Sequence, residues 1–163
     1  GNGNFGGRLL VLNGKTGNTS NLLEIKHNSV DRMVVTYDGK VGIGNAAPSE
    51  ALEVTGNVKA ASYLYTSDAR LKKDVVTLPQ ALEKLLKLRG VNFVWKNNEE
   101  KTVGFIAQEV EAVYPDLVKT DKVSGYKSVQ YGNITAILVE ALKQEHAERL
   151  ADKELCQSQC FAN

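Results

Sequence analysis

Apolar residues follow two different rhythms along this chain of 163 residues. Up to about residue 60 they come in short runs between turn signals. Leu9–Leu12 precedes Asn13-Gly14, and Leu22–Ile25 precedes His27-Asn28-Ser29. Met33–Tyr37 precedes Asp38-Gly39, and Val41–Ile43 follows. Short strands punctuated by Asn-Gly, Asp-Gly and Gly-Asn predict a β-meander. Beyond that point the pattern becomes helical. Pro79 opens PQALEKLLKLRG, in which Leu82, Leu85, Leu86 and Leu88 form one apolar face and Gly90 is a natural stop. Val91–Trp95 alternates strictly, as a strand does, and the turn Lys96–Glu100 leads to a hairpin partner at Thr102–Ile106. Ala107–Tyr114 predicts a short helix ended by Pro115. Leu117–Thr120 and Tyr126–Val129 form a second hairpin around Val123-Ser124-Gly125. A long helix is expected over residues 131–155. Its apolar positions Ile134, Ile137, Leu138, Ala141 and Leu142 give way to charge after Leu142, which predicts a bundle packed tightly at its base.

Composition sharpens the division. Ten of the fourteen glycines lie in the first sixty residues, which hold one Phe, one Tyr and no Trp. So small a set of large side chains makes a marginal core for a monomer. Three intertwined chains that bury one another's strands supply the missing partner. In the second part Trp95, Phe105, Tyr114 and Tyr131 are the expected core aromatics. The chain is 42% hydrophobic and 24% charged, with a formal net charge of +1. That balance gives no reason to expect nucleic acid as a partner. No run approaches the roughly 20 apolar residues of a membrane helix, so no membrane insertion is expected. The opening GNGNFGGRLLVLNGKTG reads as the middle of a repetitive β-region. The chain is therefore expected to be the C-terminal part of something longer.

Several motifs suggest chemistry and do not sustain it. GNGNFG at residues 1–6 matches the dinucleotide fingerprint literally, but no strand precedes it and a strand, not a helix, follows. Gly14-Lys15-Thr16 resembles the end of a phosphate-binding loop, yet the required earlier glycine is replaced by Leu9. His27 and His146 read as solvated surface residues without companion ligands, and no metal or cofactor is expected. Cys156 and Cys160 have neither zinc spacing nor a second ligand pair. They read as ordinary thiols on a fraying helix, with inter-subunit disulfides as the alternative. Asn18-Thr19-Ser20 and Asn133-Ile134-Thr135 fit the glycosylation pattern with no other support in the sequence.

One segment stands out where the two rhythms meet: Thr66-Ser67-Asp68-Ala69-Arg70-Leu71-Lys72-Lys73-Asp74. Alone, it reads as a solvated, charged turn. Its surroundings change that reading. SDARLKKDV is followed by the leucine-rich helix, then GVNFVW, GFIAQEVEAVYPDLV, Tyr131 and the run Ile134–Gln144. This order, over about residues 62–150, resembles the C-terminal intramolecular chaperone of phage tailspikes and tail fibres, the family that includes endosialidase tailspikes. Related domains occur in bacterial trimeric fibres and in a membrane-bound animal transcription factor. Upstream, VGIGNAAPSEALEVTGNVKA (residues 41–60) is similar to the repeat that leads into such domains, with Asn45 where Thr is usual.

The resemblance implies an α+β architecture. Residues 1–61 would be an intertwined trimeric β-fibre or stalk segment, and residues 62–163 the chaperone and autoprocessing domain. Its long C-terminal helix, 131–155, would lie in a trimeric bundle. It further implies a homotrimer that templates winding of the upstream segment of the same chain. The fibre would sit on a virion tail or a bacterial surface, with a host-cell surface receptor as a further partner. Self-cleavage is also implied, before the serine at Thr66–Ser67, with Ser67 as nucleophile and Lys72 as base. That activity would be a single-turnover serine endopeptidase with no external substrate. A hydroxyl needs such a base, and a neutral lysine amine serves. Desolvation at a subunit interface disfavours charge, so cleavage would await assembly. Asp68 and Arg70 belong to the matching motif as candidates to orient the site, and Gln108 is a further candidate beside it. The competing reading is a trimerisation domain that never cleaves and stays as the structural or adhesive tip of a fibre.

Overall fold

The computed structural model describes residues 17 and 19–160. The strand expected at Leu9–Leu12 with its Asn13-Gly14 turn, the motifs at residues 1–6 and 14–16, Asn18 and the Cys160 side chain lie outside the described residues. The chain divides into two compact units between Thr66 and Ser67.

The first unit is built on one sheet of four strands: β1 (Leu23–His27), β2 (Val30–Val35), β3 (Val41–Ile43) and β4 (Leu52–Val54), adjacent in that order. β1–β2 is a two-residue hairpin in which Asn28 and Ser29 both take positive φ, 49° and 62°. Such a turn matches the right-handed twist of the strands it joins. The expected strand Met33–Tyr37 is displaced: β2 starts at Val30 and stops at Val35. The reason is Thr36, whose hydroxyl donates to Asp38 at 2.6 Å and accepts from the Lys40 amide at 3.0 Å. Thr36 therefore belongs to the turn, which carries Gly39 at φ 86°.

The meander expectation holds for the first three strands and fails at the fourth. β2–β3 is antiparallel, but β3–β4 is parallel, with Val41, Gly42 and Ile43 opposite Leu52, Glu53 and Val54. The connection runs only over residues 44–51, whereas parallel strands usually need a crossover of a dozen residues or more. Glycine makes the tight return feasible, since a Cβ on Gly42 would lie 2.0 Å from the Asn45 carbonyl oxygen. Glu53 then closes the loop by accepting from Asn45 Nδ2 at 2.7 Å and from the Ser49 amide at 2.8 Å. Val34 is fully buried in this unit, while Ile25, Ile43 and Leu52 stay exposed.

The second unit contains α1 (Ala81–Leu85), the hairpin β5 (Val91–Val94) and β6 (Lys101–Gly104), α2 (Ala107–Val113), and a 3-10 turn at Pro115–Leu117. The hairpin β7 (Val118–Thr120) and β8 (Lys127–Val129) and the long helix α3 (Tyr131–Cys160) complete it. Its core is aliphatic: Val110, Leu117, Ile134 and Ile137 are buried together, and Leu85, Leu88, Phe105, Tyr114, Val118 and Val129 pack around them. α1 packs against α3, with Ala81 and Ala141 both buried. The Leu82 amide donates to Gln144 Oε1 at 2.8 Å, which satisfies one of the free donors at the start of α1.

Three expectations about this unit are corrected. α1 is shorter than predicted, since it enters from Gln80 in the left-handed region (φ 54°) and ends before Gly90. Leu86 is 75% exposed in the single chain, whereas Ala81 is buried and Leu85 packs against the core. Leu138 and Leu142 are exposed in the single chain, flanking the stripe of buried Ile134, Ile137 and Ala141. Trp95 and Tyr131 are half-exposed rather than core. Trp95 sits at the end of its hairpin with its ring edge-on to Phe93, centroids 5.1 Å apart. Tyr131 serves through its hydroxyl, which accepts from the Phe105 amide at 2.9 Å and ties α3 to the end of β6. That hydroxyl occupies the space a Cβ on Gly104 would need, 2.6 Å away.

Candidate functional site

Four of the residues singled out in the sequence, Ser67, Asp68, Arg70 and Lys72, fall on the first turn of the second unit. Asp68 sits in extended backbone (φ −63°, ψ 135°) and caps a 3-10 turn spanning Ala69–Leu71. Its Oδ1 accepts from the Arg70 amide at 2.9 Å, as capping aspartates do. Two backbone bonds complete the turn, from the Leu71 amide to the Asp68 carbonyl and from the Lys72 amide to the Ala69 carbonyl, both 3.1 Å. The chain leaves in extended form at Lys72 (φ −120°, ψ 148°). One tight turn thus separates Ser67 from Lys72 and sends the lysine side chain back toward the serine. Lys72 Nζ donates to Ser67 Oγ at 2.6 Å.

Arg70 adds a fork to the same carboxylate. Its Nε reaches Asp68 Oδ1 at 3.0 Å and its terminal nitrogen reaches Oδ2 at 2.7 Å. Both carboxylate oxygens are therefore engaged by one guanidinium, the geometry at which arginine excels. The Arg70 side chain, and then its amide, hold the Asp68 carboxyl below its ordinary value, while Asp68 raises the guanidinium. Residues 67–76 are all exposed, and among the described residues no hydrogen bond or ion pair joins them to another element. The dyad contact is consequently a local product of the turn.

Of the residues named from the sequence, the structure brings Ser67, Asp68, Arg70 and Lys72 together. It does not bring in Gln108, which is exposed on α2 and makes no hydrogen bond to any of the four. Its neighbour Glu109 is paired with Arg89 through two hydrogen bonds, which hold its carboxyl below the ordinary value. The Asp68–Arg70 fork and the closing turn were not foreseen. An aspartate directly before a short turn was the available signal. Among the described residues no group of three or more His, Cys, Asp or Glu could hold a metal ion. Nor is any helix among them long and apolar enough to cross a membrane.

Comparison with known proteins bears on the same stretch. Residues 67–119 match the family described as "Chaperone of endosialidase". The resemblance drawn from the motifs is thereby shown, and the match begins at Ser67, where the second unit begins. Long tail fiber protein Gp37 of Escherichia phage AR1 is 43% identical over 63 residues, covering 34% of this chain and 6% of that protein. Its namesake in Salmonella phage S16 is 36% identical over 87 residues, covering 47% of this chain and 12% of that protein. Myelin regulatory factor homolog 1 of Caenorhabditis elegans is 31% identical over 117 residues, covering 64% and 12%. The chain thus spans about an eighth or less of the length of these relatives. Family and relatives together support a fibre-associated chaperone role for this part of the chain.

Proposed function

We propose that this chain is an intramolecular chaperone that assembles as a homotrimer on a virion tail fibre, templates its upstream β-segment, and cleaves itself at Thr66–Ser67. The observation that carries the cleavage is the 2.6 Å approach of Lys72 Nζ to Ser67 Oγ at the junction of the two units. The name of the matching family and its tail-fibre relatives support the setting. Because the bond lies directly before the nucleophile, the chemistry is an acyl shift. The Lys72 amine, once neutral, takes the proton of Ser67 Oγ, and Oγ attacks the carbonyl carbon of Thr66. The C–N bond breaks, the Ser67 nitrogen takes up the proton, and Thr66 is held as an ester on Ser67. Water then hydrolyses that ester. The products are a Thr66 carboxylate and a second fragment that begins with the free amine and restored hydroxyl of Ser67.

In a single chain the dyad stands in water, which solvates the ammonium form. A partner subunit that covers residues 67–76 would exclude that water, and exposed Leu71, Val75 and Val76 offer it apolar surface. Release of the guide after assembly would leave the fibre locked kinetically. The full-length chain is expected to sediment as a trimer and to yield two fragments on a denaturing gel. Their masses should meet at Thr66–Ser67, and Ser67→Ala and Lys72→Ala should stay whole. The second reading, a retained trimeric tip without cleavage, draws on the exposure of the dyad. An aged wild-type trimer of intact mass would decide for it, and a stable micromolar monomer would remove both.

A further inference from the structure

We infer that Arg70 is a positioning residue for self-cleavage: it occupies both oxygens of Asp68 and so withholds that carboxylate from Lys72. This rests on the cleavage reading above and adds a role to a residue that touches neither the scissile bond nor the nucleophile. Asp68 is needed in place, since its Oδ1 caps the turn that returns Lys72 to Ser67. It also puts a negative charge four residues before the lysine, across that turn. A carboxylate paired with Lys72 would favour the ammonium, which cannot take a proton from serine. The fork from Nε to Oδ1 and from the terminal nitrogen to Oδ2 resolves the conflict. Asp68 shapes the turn while its charge is spent on Arg70, and Lys72 is left to Ser67. The depressed Asp68 carboxyl agrees with that pairing. The remaining charged groups of the exposed segment are Lys73 and Asp74, and among the described residues neither is in an ion pair.

The test is the cleavage rate of the full-length chain as a function of pH, for wild type, Arg70→Gln, Asp68→Asn and the double variant. Asparagine still accepts the capping hydrogen bond, so Asp68→Asn removes the charge and keeps the turn. Arg70→Gln is expected to slow cleavage about threefold at pH 7, the scale of an exposed ion pair. The deficit should close as pH rises. Whatever Asp68→Asn itself costs, adding Arg70→Gln to it should change nothing further. Arg70→Lys, which lacks the fork, should fall between wild type and Arg70→Gln. A loss in Arg70→Gln that is equal at every pH, or that persists in the Asp68→Asn background, would overturn the inference and leave the dyad standing. A wild-type chain that never cleaves removes the dyad reading itself, and this inference with it.

Discussion

The two units of this chain hold themselves together to very different degrees. In the second, Val110, Leu117, Ile134 and Ile137 close on one another inside a single copy, drawn from α2, the turn after it and α3. In the first, Val34 is fully buried, but Ile25, Val30, Ile43 and Leu52 remain in water. Apolar surface left in water contributes nothing to folding, and each buried side chain of that size is worth about 1.5–3 kcal/mol. Both units leave large apolar side chains in water, Leu86, Val103 and Leu142 of the second among them, so what sets the second apart is its buried cluster.

The comparison breaks most visibly if the units are expressed apart. Residues 67–163 are expected to melt cooperatively with strong helical dichroism, and residues 1–66 alone to show no cooperative transition. A sharp, reversible melt from residues 1–66 would mean that the β-segment needs no guide. Fragment-sized effects of this kind test the chaperone role independently of cleavage.

Single substitutions sharpen the same contrast within the second unit. Ile137→Ala removes a buried side chain from the aliphatic cluster and is expected to cost about 2–5 kcal/mol in chemical denaturation. Leu86→Ala, on the face of α1 first expected to be buried, should change stability by less than about 0.5 kcal/mol in a monomeric sample. If assembly covers Leu86, its cost will rise with protein concentration. A large loss for Leu86→Ala at the lowest concentration would contradict the packing described.

Much of this was legible from side-chain order, and the failures have physical causes. β5 and β6 announced themselves by alternation about a turn of five residues, and α2 by its Pro115 stop. β4 did not, because Leu52-Glu53-Val54 is too short to show a period and pairs in parallel across a loop that Glu53 itself closes. Large aromatics usually bury their area, which makes Trp95 and Tyr131 expected core residues. Their places, at a hairpin end and in the first turn of α3, leave each half in water. Ser67 and Lys72 stood out through the order of neighbouring motifs. The turn that joins them was hidden, since three 3-10 residues amid charges leave no hydrophobic rhythm to read.

The smallest expected effect lies at that turn, where local hydrogen bonds do the work that burial does in the core. Arg70 holds the Asp68 carboxyl below its ordinary value of 3.8. Because the folded value is depressed, the contribution of the pair is fully present above the ordinary aspartate range. It is lost as pH falls through the depressed value. In a Ser67→Ala chain, which keeps the segment uncut, the Asp68 carboxyl carbon should titrate with a midpoint below 3.8. Arg70→Gln should return that midpoint toward the ordinary value. The core would not notice, since its buried cluster contains no ionisable side chain. A midpoint unchanged by Arg70→Gln would show that the fork is not formed in solution, and the turn would then have to be held by its backbone bonds alone.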